Sequence, residues 1–137
     1  MRLSHVTLYV TDISRSRAFY LAMGFELIVD ENHYCRFVAR LDEGEGDETL
    51  SIEHHAGPLV PAAQLGLEFP TREALDSYVG SLPGRGLAVA GGLADRPWLW
   101  RDARLFDPDG HEWMLFFAGS NKLYPPWRVP TGHENAV

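Results

Sequence analysis

Residues 3–11 alternate in character: Val6, Leu8 and Val10 are apolar, and His5, Thr7 and Tyr9 fall between them. That two-residue period predicts a strand with one face for a core and another for a cavity. Asp12 or Ser14 can cap a helix to which Ala18, Phe19, Leu21 and Ala22 give a rough apolar stripe, and Gly24 stands where a left-handed stop belongs. Strands are predicted at 25–31, 33–41 and 48–55, with the acidic, glycine-containing stretch 42–47 as the hairpin loop before the last of them. Gly57-Pro58-Leu59-Val60-Pro61 reads as a linker. Then the order repeats. Leu65, Leu67 and Phe69 alternate with Gln64, Gly66 and Glu68, and Thr71 opens a helix with Leu75, Tyr78, Val79 and Leu82 at helical spacing, ended by Pro83-Gly84-Arg85-Gly86. A weak strand at 87–93, carrying Gly91-Gly92, and a stronger one at 98–106 lead to Asp107-Pro108-Asp109-Gly110. This is tight-turn chemistry, feeding a last strand with Trp113, Leu115 and Phe117 on one face and Glu112, Met114 and Phe116 on the other. His111 is assigned to the turn, facing solvent.

His5 and Gln64 stand 64 − 5 = 59 residues apart, each just ahead of an apolar triplet spaced by two. The predicted fold class is therefore α+β: two βαβββ modules, at 3–57 and 63–118, within one domain spanning 1–137. A tail at 119–137 lacks periodicity, and its Tyr124-Pro125-Pro126-Trp127 is suited to covering a groove or a neighbouring subunit.

Composition narrows the function classes. With 45% hydrophobic and 23% charged residues the chain is an ordinary globular protein, large enough to bury roughly two-thirds of its unfolded surface. Twelve Lys and Arg against nineteen Asp and Glu give a net charge of −7, which argues against nucleic acid and anionic membrane as partners. No apolar run reaches spanning length and no basic-then-apolar leader is present, so a cytoplasmic protein is expected. Cys35, the single cysteine, lies in an alternating apolar run and is expected to be a buried, inert thiol. No phosphate-cradling glycine loop, Cys-x-x-Cys pattern or nucleophile elbow occurs.

The strand HVTLYVTD opening on His5, the helix SRSRAFYLAMGF and the closing DPDGHEWMLFF, in this order over residues 3–118, resemble the vicinal oxygen chelate superfamily. Its members include glyoxalase I, extradiol dioxygenases and bleomycin- or fosfomycin-resistance proteins. The resemblance implies two modules whose curved sheets form a cup, with helices outside and a metal or small molecule inside. Metal-dependent members take one ligand from the first strand of each module, His or Gln, and one from the last, Glu. The first-strand positions fall on His5 and Gln64. The last-strand position of the second module falls on Met114, a thioether ill suited to the nickel, zinc, iron or manganese this chemistry uses. In the first module Ser51 matches best, and Glu53 follows two residues later, about 6.5–7 Å along a strand.

On this reading His5, Gln64 and Glu53 are the candidate metal ligands, and Glu53 doubles as a candidate general base; His5 reads equally as a polar lining residue, and Glu53 as a sheet-edge carboxylate. Tyr9, Ser51, His55, Glu112 and Met114 are candidate ligand-binding residues of the inner face. Trp98 and Trp100, of matching parity on the penultimate strand, are read either as an aromatic wall for a planar ligand or as a core or interface pair. Three functions follow: a small-molecule-binding protein with a degenerate metal site, a divalent-metal-dependent lyase, isomerase or dioxygenase, and a non-catalytic dimerisation module. A bound divalent metal and no cofactor stand as equal alternatives. A homodimer is expected, its modules pairing within or between chains.

Overall fold

A computed structural model describes residues 1–41 and 46–130; Asp42, Glu43, Gly44 and Glu45 of the predicted acidic loop and residues 131–137 of the tail lie outside the described residues. The elements are β1 (His5–Val10), α1 (Ile13–Met23), β2 (Glu26–Glu31), β3 (Tyr34–Val38), β4 (Thr49–His54), β5 (Gln64–Glu68), α2 (Arg72–Ser81), β6 (Ala90–Asp95), β7 (Arg101–Phe106) and β8 (Glu112–Phe117). They form two four-stranded mixed sheets, ordered β1-β4-β3-β2 and β5-β8-β7-β6. β1 runs parallel to β4 and β5 parallel to β8; the remaining pairs are antiparallel. The chain is thus the α+β pair of βαβββ modules that its periodicity predicts.

Local chemistry sets the helix ends. Asp12 accepts a hydrogen bond from the Arg15 amide at 3.0 Å, and Gly24 closes α1 at φ 105°, a conformation that a Cβ would oppose. Thr71 accepts from the Ala74 amide at 3.0 Å to start α2.

The β6–β7 hairpin differs from expectation. Residues 98–100 are not strand: the Arg96 amide donates to the Trp100 carbonyl at 2.7 Å, the Leu99 amide to the Arg96 carbonyl at 3.0 Å, and Leu99 takes φ 69°. Pro97 has no N–H for a ladder, so the Trp-Leu-Trp alternation imitates a strand while the backbone turns.

Each apolar triplet packs beneath a helix. Leu8 and Val10 join Tyr20, Met23, Cys35, Phe37, Leu50 and Ile52 in the first core, and Phe69 and Leu115 meet Leu75 and Leu82 in the second. The Cys35 thiol is fully buried, with the Arg17 Nε 3.4 Å away. No helix among the described residues is long and apolar enough to cross a membrane.

The modules meet through their helix-bearing faces. Trp113 of β8 packs at 5.9 Å from the Tyr20 ring and 5.7 Å from Phe25, and its Nε1 donates to the Tyr20 hydroxyl at 3.1 Å. That hydroxyl donates in turn to Asp107 at 2.7 Å. Burial first, and the Asp107 charge second, push the Tyr20 phenol far above its ordinary range. Tyr78 of α2 donates to the Met23 carbonyl at the end of α1, at 2.7 Å. Burial, only partly offset by the Arg85 guanidinium, pushes its phenol up from 10.0 to about 12. Because the folded value lies above the unfolded one, the protonated phenol's contribution is whole below pH 10 and is lost as pH rises through about 12. The melting temperature of the wild type is expected to fall more steeply over that interval than that of Tyr78→Phe; parallel curves would show that Tyr78 does not couple to folding.

Candidate functional site

The face of the first sheet turned away from α1 is laid out by strand register. Tyr9, Glu53 and Tyr34 form one row, Thr7, Ser51 and Arg36 the next, and His5, Thr49 and Val38 the third. His5 Nδ1 lies 2.5 Å from the Thr49 hydroxyl and Nε2 3.2 Å from that of Thr7. Ser51 is fully buried although it shares this face, because Tyr34 leans over it with the two hydroxyls 2.5 Å apart. Arg36 holds Tyr34 in place, its Nε and Nη2 donating to the phenol oxygen at 3.0 and 2.8 Å. Tyr9 remains 48% exposed, edge-on to the His55 ring at 5.9 Å. His55 Nδ1 is buried without a partner, and Glu53 makes no hydrogen bond or ion pair among the described residues.

The corresponding face of the second sheet carries rows Gln64, Glu112, Phe106; Gly66, Met114, Arg104; and Glu68, Phe116, Asp102. Gln64 donates to Glu112, and Arg104 Nε approaches Glu112 at 3.5 Å. Phe116 stacks on Trp100 with centroids 4.5 Å apart, and the indole donates to the Asn121 carbonyl at 3.4 Å. Gly66 makes room for this stack: a Cβ there would lie 2.9 Å from the Phe116 ring. Lys122 closes the same end through Glu68 at 3.0 Å. Trp100 is therefore packed against Phe116, and Trp98 sits exposed in the hairpin turn, so the two tryptophans do not line one strand face as their parity suggests.

His111 also departs from expectation. It is 8% exposed, not solvent-facing; its amide donates to Asp107 at 2.9 Å, and its Nε2 donates to the Tyr9 carbonyl at 2.8 Å. The turn thereby fastens the far end of β1, helped by Thr11, whose hydroxyl donates to Asp109 at 2.6 Å.

This fastening separates the candidate metal ligands. His5 stands four residues back from Tyr9 along β1, about 13 Å, and Glu53 is level with Tyr9. Gln64 is level with Glu112, the residue after His111, and so belongs to the Tyr9 end. The described residues contain no group of three His, Cys, Asp or Glu side chains able to hold a metal ion. The two last-strand positions argue the same way. Ser51 is engaged by Tyr34, Met114 offers a thioether, and each faces an arginine across the ladder, Arg36 and Arg104. A guanidinium beside a ligand position repels a divalent cation, so the donor set of one chain does not fit the metal that the resemblance implies. Sequence reasoning missed both arginines. Alternation through Tyr34, Arg36 and Val38 was the available signal, but only register reveals that Arg36 meets Ser51.

A cleft of about 1120 Å³ opens between the modules, walled by Arg40 and Leu41 on one side and Leu67, Tyr78 and Arg85 on the other, and it touches the open face of the second sheet at Gly66 and Glu68. His5, Tyr9 and Ser51 are not among its lining residues.

Solved structures share this architecture. A glyoxalase/bleomycin resistance protein/dioxygenase from Nocardioides superposes with a TM-score of 0.74 at 19% identity, over 95% of this chain and 90% of its own. A family enzyme of the same description from Burkholderia phytofirmans gives 0.68 at 19% identity, over 86% and 99%. Lactoylglutathione lyase from Agrobacterium tumefaciens gives 0.67 at 14% identity, over 85% and 92%. At these identities the likeness is one of fold. No curated protein matches the sequence. The model of the Glyoxalase/Bleomycin resistance protein/Dioxygenase superfamily matches residues 2–115. With that match across both modules, and with the paired mixed sheets that carry it, the chain belongs to the Glyoxalase/Bleomycin resistance protein/Dioxygenase superfamily.

Proposed function

We propose that this chain is a small-molecule-binding protein whose metal site is degenerate, and whose open sheet faces form a ligand cup when two copies associate. The observation that carries this reading is the occupancy of the two carboxylate positions by Ser51 and Met114, each opposed by an arginine. Exposure of His5, Thr7, Tyr9, Gln64 and Glu68 on the open faces supports association, since no described strand or helix covers them. A second reading has one specific observation in its favour. Glu53 is partnerless among the described residues and half-buried beside Tyr9, as a base or ligand awaiting substrate or metal would be. It would make the protein a divalent-metal-dependent lyase, isomerase or dioxygenase using His5, Gln64 and Glu53.

Elemental analysis of protein purified without chelator separates the two, run beside melting curves with added nickel, zinc, cobalt, manganese and iron(II). The expected result is substoichiometric metal and unchanged melting in both wild type and His5→Ala. One ion per chain, or a melting rise that His5→Ala abolishes, would establish the metal-dependent reading instead. Light scattering on the eluting protein checks the shared cup, which requires a particle of twice the 15.4 kDa chain mass.

A further inference from the structure

We propose that the cup takes an organic monocarboxylate, held by the Arg36 guanidinium across the ladder from Ser51; this rests on the cup reading above. Arg17, Arg72, Arg96, Arg101 and Arg104 each lie against a carboxylate. Arg36 does not: among the described residues its polar partner is the Tyr34 hydroxyl.

The way that bond is made leaves a receptor. A guanidinium has five N–H donors in a planar fork. One edge, Nε and Nη2, is spent on the Tyr34 oxygen, which leaves the Nη1–Nη2 edge free for the paired oxygens of a carboxylate. Tyr34 is itself anchored on Ser51 at 2.5 Å, and Ser51 is fully buried. The fork is thus oriented before any ligand arrives, which spares the side-chain ordering that binding otherwise costs. The ligand's charge and character can also be read. Arg36 lies against no carboxylate and so matches one negative charge; its neighbours across the ladder and along the strand are Val29, Tyr34, Val38 and Ser51, the last covered by Tyr34, with exposed Tyr9 and the carboxylate of Glu53 one row away. Valine and tyrosine side chains beside one cation suit the carboxylate of a mostly apolar or aromatic molecule, and Glu53 one row away disfavours a second negative charge on it. With a net charge of −7 the protein as a whole does not attract anions, so recognition has to come from this local contact.

The test titrates the wild-type protein by calorimetry with benzoate, phenylacetate and indole-3-acetate, and with the amide of each. At least one acid is expected to bind, and its amide to bind about ten- to a hundredfold more weakly, the usual range for losing a charge-assisted pair. Arg36→Met should weaken the acid by the same factor and leave the amide unchanged. Arg36→Lys, which keeps the charge but not the fork, should fall between. Tyr34→Phe, which removes the acceptor that orients the fork, supplies an independent variant should Arg36→Met fail to fold, and it too should weaken the acid selectively. An amide that binds as well as its acid, or an acid indifferent to Arg36→Met and Tyr34→Phe, overturns this inference and leaves the cup standing. Binding by none of the six probes overturns both.

Discussion

Trp113→Ala is expected to destabilise the protein by about 3–5 kcal/mol, the usual range for deleting a buried tryptophan. Trp113 is 3% exposed and belongs to the same core as α1, although it comes from the other module. Its removal opens a cavity against Tyr20, Phe25 and Leu105 and takes away the N–H donated to the Tyr20 hydroxyl. Urea unfolding followed by circular dichroism gives the magnitude. A second expectation distinguishes this site from any other core position. Because Trp113 joins the modules, the variant's far-ultraviolet and tyrosine-fluorescence transitions should separate, where those of the wild type coincide. A loss below about 1 kcal/mol, with coincident transitions, would mean that the modules are held together elsewhere.

Asp107→Ala is expected to cost about 3 kcal/mol, since it strands three donors at once, each worth roughly 1–3 kcal/mol if left unsatisfied and not additive. Those donors are the Tyr20 hydroxyl at 2.7 Å and the amides of Asp109 and His111 at 3.0 and 2.9 Å. Asp107→Asn keeps one acceptor oxygen and should lose about half as much. Denaturant midpoints measure both. The effect should extend to the open face, because the Asp107 turn carries His111 to the Tyr9 carbonyl. Loss of ordered His111 contacts would appear as faster amide exchange in β1. An Asp107→Ala variant as stable as wild type would show that water replaces the carboxylate without cost.

The fold was readable because each module repeats one arrangement of strong local signals. An alternating strand is followed by a capped helix, with Asp12 and Gly24 bounding the first and Thr71 opening the second. The core was readable for the same reason, since Leu8, Val10, Leu50 and Ile52 keep strand parity and are all buried. Misreadings occurred where tertiary contacts outvote parity. Trp98 and Trp100 alternate like a strand, yet a proline and a positive φ turn the backbone there. His111 reads as a turn residue, and it is one, but its ring finds a carbonyl 102 residues away in sequence. The site was legible only as a set of positions. Which side chains face one another depends on ladder register, and that is why Arg36 and Arg104 escaped notice while His5, Gln64 and Glu53 did not.

Arg104 lies directly across from Met114, and this pairing bears on what a single substitution can do to the site. A Met114→Glu exchange would not by itself supply a metal ligand: the new carboxylate would meet a guanidinium across the ladder before it met any ion. In the other module Ser51→Glu would have to displace Tyr34 and would then face Arg36. A carboxylate introduced at either position would therefore need its facing arginine replaced as well before it could turn to an ion. The two arginines thus act as locks, each holding its last-strand position against a change that touches one residue alone.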